Sequence, residues 1–115
     1  MTSYKRGEVI LVRFPNSDLI TYKKRPALVI QDETVDTGLS QRVVAMITSN
    51  LVRTGDTRVL VGKDTPAGQA LGLITDSVIV ADNIATVHER EIDKVLGQCP
   101  RMPEVDAALR RTLRL

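Results

Sequence analysis

The sequence predicts a mainly β fold with a few helices, in the form of a small β-barrel that carries an amphipathic helix at its C-terminus. Short runs of β-branched and aliphatic residues recur along the chain, and Gly, Pro, Asp or Ser bounds each run. Several runs, including residues 9–12 and 78–81, are apolar at consecutive positions, which indicates strands covered on both faces. The last dozen residues instead repeat their apolar side chains at helical spacing.

Seven strands follow from these runs. We expect them at about residues 8–14, 26–31, 41–48, 57–62, 77–81, 84–87 and 94–98. Two connections are longer than a tight turn, residues 15–25 and residues 63–76, and the second has the composition of a short helical turn. The first connection is long enough to close over a ligand.

The C-terminal helix is expected to cover one face of the sheet. Its apolar stripe consists of Val105, Ala108, Leu109, Thr112 and Leu113. Pro103 suits the first helical position, and arginines near the end complement the helix dipole. Because one helix cannot cover every apolar strand face, the pattern also predicts a two-fold homodimer.

Composition limits the classes of protein and site. A chain of 115 residues predicts one domain, residues 1–115. One cysteine, Cys99, and one histidine, His88, cannot build a zinc centre or an internal disulfide, so we expect no metal, no cofactor and a cytoplasmic location. No apolar stretch is long enough for a membrane span. The net charge of +2 is too small to indicate nucleic-acid binding by itself, so local clustering has to carry that argument.

The strongest local cluster of charge is Lys23-Lys24-Arg25, which Pro26 and an apolar strand follow directly. Because proline restricts the preceding residue to extended geometry, Arg25 should lie at the mouth of the strand. Its guanidinium can hold a phosphate through two parallel hydrogen bonds. The alternative is a surface cation beside a strand, and the residues alone do not decide between the two.

Polar residues at a second strand end are further candidates. Thr48, Ser49 and Asn50 follow an apolar strand and can meet the same ligand, although such residues also form turns by bonding their own backbone. Tyr22, flanked by lysines, is a candidate platform for stacking an unpaired base. His88 lies in a polar stretch and is interpreted as a solvated surface histidine, so any nuclease chemistry has to use Arg, Thr, Ser or carboxylates.

The order and spacing of four blocks carry a resemblance that covers nearly the whole chain. They are Gly7-Glu8-Val9, then 24–30 (KRPALVI), then 45–49 (AMITS), then Gly72 with 76–87 (DSVIVADNIATV). Together they resemble the MazF/PemK family of toxin endoribonucleases. The resemblance implies an SH3-like barrel, a homodimer, and metal-independent, sequence-specific cleavage of single-stranded mRNA that leaves a 2′,3′-cyclic phosphate and a 5′-hydroxyl.

The resemblance also assigns roles and partners. It implies that Arg25 and Thr48 match the family's catalytic arginine and threonine, and that Ser17 matches a serine of the first loop. RNA contacts for Tyr22, Lys23, Lys24, Ser49 and Asn50 are predicted from the residues themselves, and Ser17 is counted with them. The implied partners are single-stranded RNA and a cognate antitoxin, whose disordered segment orders over the RNA groove. Ala85 departs from the long polar residue of many members, so base preference does not carry over.

Two other functions compete with this one. The same barrel serves as a topoisomerase poison in a related toxin group, which would bind protein rather than RNA. A folded, inactive relic that still binds antitoxin is the third possibility. The pairing of Arg25 with Thr48 favours the nuclease.

Overall fold

A computed structural model describes residues 4–15, 18 and 20–115. In this part of the chain six strands form one antiparallel sheet, and two helices and a short 3-10 turn join or follow them. The strands are β1 (Glu8–Pro15), β2 (Tyr22–Val29), β3 (Gln41–Thr48), β4 (Arg58–Val61), β5 (Ser77–His88) and β6 (Ile92–Gln98). The helices are α1 (Pro66–Leu71) and α2 (Met102–Leu113), and the 3-10 turn is Glu89–Glu91.

The mainly β fold with a C-terminal helix is confirmed, but the sheet is not a closed barrel. Its strand order is β4-β5-β3-β2-β1-β6, so β4 and β6 are edges that do not pair with each other. Helix α1 contacts the edge strand β6, and α2 contacts the edge strand β4 and its neighbour β5. The short helical turn expected within residues 63–76 is α1.

The prediction of seven strands is wrong, because residues 77–81 and 84–87 belong to one strand, β5. Ala45 of β3 pairs with Ile84 and Met46 pairs with Val80, so three residues of β5 bulge out between consecutive partners. The polar pair Asp82-Asn83, which seemed to end a strand in the sequence, forms this bulge. A bulge lets polar residues interrupt a strand without ending it.

The expected long connection of residues 15–25 is also shorter in the structure. β2 begins at Tyr22, four residues before the predicted start, because β1 continues to pair with it. Phe14 pairs with Lys23 and Pro15 with Tyr22. The cluster Lys23-Lys24-Arg25 therefore lies on a strand rather than in a loop.

Both faces of the sheet are buried within one chain, and neighbouring residues of a strand belong to different cores. Val9 and Leu28 lie in a core that includes α2, whereas Ile10 and Val29 lie in a second core on the opposite face. This alternation explains the continuous apolar runs. The homodimer was predicted because some apolar strand faces seemed to be left uncovered. Since both faces are covered within one chain, that reason no longer applies, and the homodimer stays a prediction.

Helix α2 packs as the stripe predicted, except at its end. Val105, Ala108 and Leu109 are buried, whereas Leu113 is exposed. Arg101, at the start of α2, donates a hydrogen bond of 2.7 Å from Nη1 to the carbonyl oxygen of Leu60 on β4. The helix is thereby attached to the edge strand.

Helix α1 lies so close to β6 that a glycine is required there. A Cβ atom at Gly97 would lie 2.2 Å from the carbonyl oxygen of Ala70 and 2.6 Å from the carbonyl carbon of Leu71. Both are backbone atoms, which cannot move aside as a flexible side chain can. Gly97 thus allows α1 to pack directly on the edge of the sheet.

We expect Gly97→Ala to destabilise the protein by about 3 kcal/mol, because overpacking against backbone forces the helix away from the strand. Gly38→Ala is the matched control, since a Cβ at Gly38 meets nothing within 4 Å and only its φ of 75° opposes the substitution. That strain costs about 1 kcal/mol. Thermal unfolding checks this: Gly97→Ala should lower Tm by roughly 10 °C, clearly more than the control. Equal Tm values for the two variants would contradict the close packing.

Candidate functional site

Arg25 and Thr48 lie at corresponding positions on neighbouring strands. In the β2–β3 pair, Ala27 is opposite Met46 and Leu28 is opposite Ala45. The paired residues end at Ala27 and Met46. Counted two residues further along each strand, this register puts Arg25 opposite Thr48. Both residues are partly buried. The residues predicted to act together are thus neighbours in the structure.

A cavity of about 400 Å³ opens beside this pair, and we call it cavity A. Five of the predicted site residues line it: Lys23, Lys24, Arg25, Thr48 and Ser49. The rest of its polar wall comes from Thr75, Ser77 and Lys94, and its apolar wall includes Leu73 and Ile74. The structure therefore brings most of the predicted residues to one concave surface.

On the other side of the pair lies cavity B, of about 290 Å³. Arg25 and Thr48 line it as well, together with Phe14, Arg53 and Asn83. The two residues consequently form the boundary between cavities A and B. A group held at this boundary can extend into both cavities.

Thr48 also forms the turn that the sequence suggested as its alternative role. Its hydroxyl oxygen accepts a hydrogen bond of 3.1 Å from the backbone N–H of Asn50. The Asn50 side chain in turn accepts one of 3.1 Å from the N–H of Val52. Since a hydroxyl that accepts can still donate its own hydrogen, this turn orients Thr48 without using up its donor. Asn50 itself lines neither cavity A nor cavity B.

Tyr22 is not part of this group. Tyr22 is 53% exposed and lines a third cavity, cavity C, of about 500 Å³. The Arg13 guanidinium lies over its ring, 4.8 Å from the centroid. Ser17 lies outside the described residues. Cavity C also includes Phe14 and His88, and His88 is exposed, as the sequence predicted.

The loop end that leads into β2 is fixed by a carboxylate. The backbone N–H groups of Thr21 and Ile20 each donate to Asp18 Oδ1 at 2.9 Å, and the Thr21 hydroxyl donates to Oδ2 at 2.8 Å. These hydrogen bonds, with the N–H of Thr21 contributing most, hold the pKa of Asp18 below its ordinary value. The turn therefore leads the chain directly into β2 at Tyr22.

The charge along the three cavities is strongly positive. Among the described residues, their walls carry one carboxylate, Glu91, against seven cations: Arg13, Lys23, Lys24, Arg25, Arg53, Arg90 and Lys94. Lys24 is partly compensated by Asp93, at 3.3 Å in an exposed ion pair. Although the net charge of the chain is small, this part of its surface is positive enough to attract phosphate groups.

Sequence reasoning missed Arg53, Lys94 and Asn83. Lys94 lies on β6 opposite Leu11, and the sequence around it, residues 92–96 (IDKVL), has no alternation of apolar and polar residues that would indicate an outward side chain. Arg53 lies in a loop, and Asn83 enters cavity B only through the bulge in β5. Neither the position of Arg53 beside the cavity nor the bulge that carries Asn83 is indicated by a local sequence pattern.

Asp82, in the bulge of β5, and Asp76, just before β5, have structural partners. Asp82 pairs with Arg58 at 2.8 Å and accepts from the Thr57 hydroxyl at 2.9 Å, and Asp76 accepts from the N–H of Lys63 at 2.9 Å. Within the described ranges, no group of three His, Cys, Asp or Glu side chains is arranged to hold a metal ion. None of the described helices is long and apolar enough to cross a bilayer.

Comparison with known families decides the relationship. A family model described as the PemK-like, MazF-like toxin of type II toxin–antitoxin systems matches residues 5–113. The chain belongs to the PemK/MazF toxin family. The resemblance carried by the four sequence blocks is thereby confirmed.

Solved structures agree with this PemK/MazF assignment. The chain is similar over 98% of its length to 97% of an endoribonuclease in complex with its cognate antitoxin from a mycobacterial species, at 25% identity and a TM-score of 0.75. A second mycobacterial endoribonuclease is 26% identical, with a TM-score of 0.72, over 100% of this chain and 95% of that one. MazF from Deinococcus radiodurans is 18% identical over all of both chains, with a TM-score of 0.74, and shows the fold alone. No curated protein sequence matches the chain.

Proposed function

We propose that this PemK/MazF toxin is a metal-independent, sequence-specific endoribonuclease that cuts single-stranded mRNA and is neutralised by a cognate antitoxin. The observation that carries the proposal is the position of Arg25 opposite Thr48, on the boundary between cavities A and B. The two mycobacterial endoribonucleases similar to this chain support it.

The reaction is a transesterification at one phosphate. The ribose 2′-hydroxyl loses its proton and attacks the adjacent phosphorus, and the bond from phosphorus to the 5′-oxygen of the next nucleotide breaks. That oxygen takes up a proton, so the products carry a 2′,3′-cyclic phosphate and a 5′-hydroxyl. Negative charge grows on the phosphate oxygens in the transition state, and catalysis requires donors aimed at them.

Arg25 supplies the first of these donors. Its planar guanidinium can donate two parallel hydrogen bonds to phosphate oxygens and stays charged at any physiological pH. Pairing with Val12 of β1 holds the backbone of Arg25 within the sheet. A donor on a strand is held more rigidly than one on a loop, which favours transition-state stabilisation.

Thr48 supplies the second donor at the same phosphate. Its hydroxyl oxygen is occupied by the N–H of Asn50, so its hydrogen can be directed at a phosphate oxygen. Lys23, Lys24 and Ser49 then hold the neighbouring nucleotide in cavity A. The only histidine of the chain, His88, lines cavity C rather than this boundary.

We assign two protein partners to the same surface. Large apolar side chains are exposed around the cavities, Ile74 at 89% and Val52 at 86%. A disordered antitoxin segment that carries acidic and apolar residues can cover them together with the cations of cavity A. The second copy of a homodimer would extend the RNA groove from this side.

Arg25 is the first residue to test by substitution. Because a preorganised donor at the reacting phosphate is lost, Arg25→Ala should reduce the cleavage rate by about a hundredfold or more. Arg25→Lys should also lose at least about tenfold, since lysine keeps the charge but not the planar fork. The measurement is the rate at which purified protein produces 2′,3′-cyclic phosphate ends on single-stranded RNA.

Arg110→Ala provides the matched control, because Arg110 is exposed on α2 outside the three cavities and its loss removes the same charge. It should cut at the wild-type rate. Wild-type cleavage by Arg25→Ala would refute the proposed site. Growth arrest by a wild-type protein that leaves RNA uncut would instead favour the topoisomerase poison.

Two substitutions of Thr48 separate its chemical role from its role in the turn. Thr48→Val removes the hydroxyl, so cleavage should fall more than about tenfold, and the lost turn hydrogen bond should cost about 1 kcal/mol of stability. Thr48→Ser keeps both hydrogen-bonding functions and should retain most activity. Rate measurements paired with thermal unfolding check this prediction. If Thr48→Val cuts as well as Thr48→Ser, Thr48 is only a turn residue.

Cleavage should persist in EDTA, because Arg25 and Thr48 stabilise the transition state without a Lewis acid. The assay compares rates after dialysis against EDTA with rates in added magnesium, at matched ionic strength because RNA binding depends on salt. Rates within about twofold of each other are expected. Activity that disappears in EDTA and returns with magnesium would overturn the metal-independent mechanism.

A further inference from the structure

The three cavities are linked in sequence by lining residues that they share. Cavities A and B share Arg25 and Thr48, and cavities B and C share Phe14. We propose that cavity C is a base-recognition subsite that selects guanine, and that Glu91 is the residue that reads it. The inference rests on the proposed RNA substrate, and it assigns cavity C to the second nucleotide from the cleaved bond.

Cavity C has the size and the construction of a binding site. Its volume of about 500 Å³ falls within the roughly 300–1,000 Å³ of small-ligand pockets. Its walls come from the ends of β1, β2 and β5 and from the 3-10 turn. The N–H of Glu89 donates to the carbonyl oxygen of Ser40 at 3.0 Å, which fixes the turn that carries Glu91. Side chains on such a frame are held in place before a ligand arrives.

An aromatic platform for a base lies in this cavity. Tyr22 remains 53% exposed although the Arg13 guanidinium covers part of it, 4.8 Å from the ring centroid. Unpaired bases stack on such rings and on guanidinium planes whatever their identity. Stacking on Tyr22 and Arg13 thus gives affinity, and the selection of one base requires a polar group at its edge.

We assign this role to Glu91, because it is the one carboxylate that lines the three cavities among the residues the structure describes, where seven cations also line them. An ionised carboxylate only accepts hydrogen bonds. Guanine alone presents two adjacent donors, N1–H and N2–H, which match the two oxygens of one carboxylate. Adenine, cytosine and uracil each place an acceptor beside their donor, so one carboxylate oxygen would face an acceptor.

The neighbouring charges leave Glu91 available for a base. The Nε of Arg90 lies 3.9 Å from Glu91 Oε1, which is beyond hydrogen-bond distance, and Arg90 is 80% exposed. Arg13 and Arg90 balance the carboxylate and can meet the phosphate that precedes or follows the base. The cavity therefore combines attraction for the backbone with selection at the base.

The position of guanine follows from the order of the cavities. With the cleaved phosphate at Arg25 and Thr48, one flanking nucleotide occupies cavity A and the other occupies cavity B. The next nucleotide beyond cavity B passes Phe14 and enters cavity C. A guanine preference is therefore expected two nucleotides from the cut, on one side only.

The test is a double-mutant cycle between protein and oligonucleotide. The probe is a fluorescent deoxyuridine heptamer with one central deoxyguanosine, which cannot be cleaved because it lacks 2′-hydroxyls. Replacing deoxyguanosine by deoxyinosine deletes N2–H, and we expect wild-type binding in anisotropy titrations to weaken about tenfold. The Glu91→Gln variant places an amide N–H donor where guanine presents its own donors. Replacing deoxyguanosine by deoxyinosine should therefore change its binding less than about twofold.

Asp64→Asn is the control. Asp64 is exposed and lies outside the three cavities, and the substitution removes the same negative charge as Glu91→Gln. It should keep the tenfold discrimination. The inference is overturned if the wild type binds neither oligonucleotide, or binds both equally well. It is also overturned if Glu91→Gln keeps the full preference for deoxyguanosine, or if Asp64→Asn loses that preference. The binding measurement needs no cleavage, so its result does not depend on the nuclease assay. RNA cleavage by a protein that does not discriminate guanine would refute the role of cavity C and leave the proposed nuclease function intact.

Discussion

The structure depends on how β2 is shared between its two neighbours. β2 pairs with β1 as far as Tyr22, but its pairing with β3 stops at Ala27. Pro26 has no N–H to donate, so the ladder toward β3 cannot continue through it. The strand stays in the sheet on one side while the other side opens, and Arg25 and Thr48 face each other across this opening. The cavities on both sides of the pair exist because one proline ends one ladder and not the other.

The same opening determines where the charge lies. The lysines and the arginine that precede Pro26 are carried on a strand that β1 holds straight, and Lys94 on β6 reaches the same cavity from the far side of β1. A chain with almost equal numbers of acidic and basic residues can therefore present a basic surface. The acidic side chains Asp56, Asp82 and Asp106 are meanwhile engaged in ion pairs with arginines elsewhere. An anionic ligand is attracted by the local distribution of charge around the cavities, and the net charge of the whole chain matters less.

The parts of this molecule that the sequence could predict are those with local signals. The apolar runs predicted the strands, and the stripe through Val105 and Leu109 predicted α2, because periodicity is a property of neighbouring residues. Pro26 correctly predicted extended geometry for Arg25, but the prediction that Arg25 starts the strand was wrong, because β2 begins at Tyr22. The family blocks supplied Thr48. The union of two predicted strands into β5, the early start of β2 and the entry of Arg53 and Asn83 into cavity B all depend on pairing between distant segments. No local pattern encodes such pairing, which is why these features required the structure.

The contact between Arg101 and β4 has a consequence for how the protein can assemble. An edge strand with unpaired carbonyls is a template for a further strand, whether from another copy or from a partner segment. The carbonyl oxygen of Leu60 already accepts from Arg101, and Glu104 holds the guanidinium through a hydrogen bond of 2.8 Å to Nε. A strand approaching β4 would have to displace this side chain first. Strand addition at the β4 edge is therefore disfavoured.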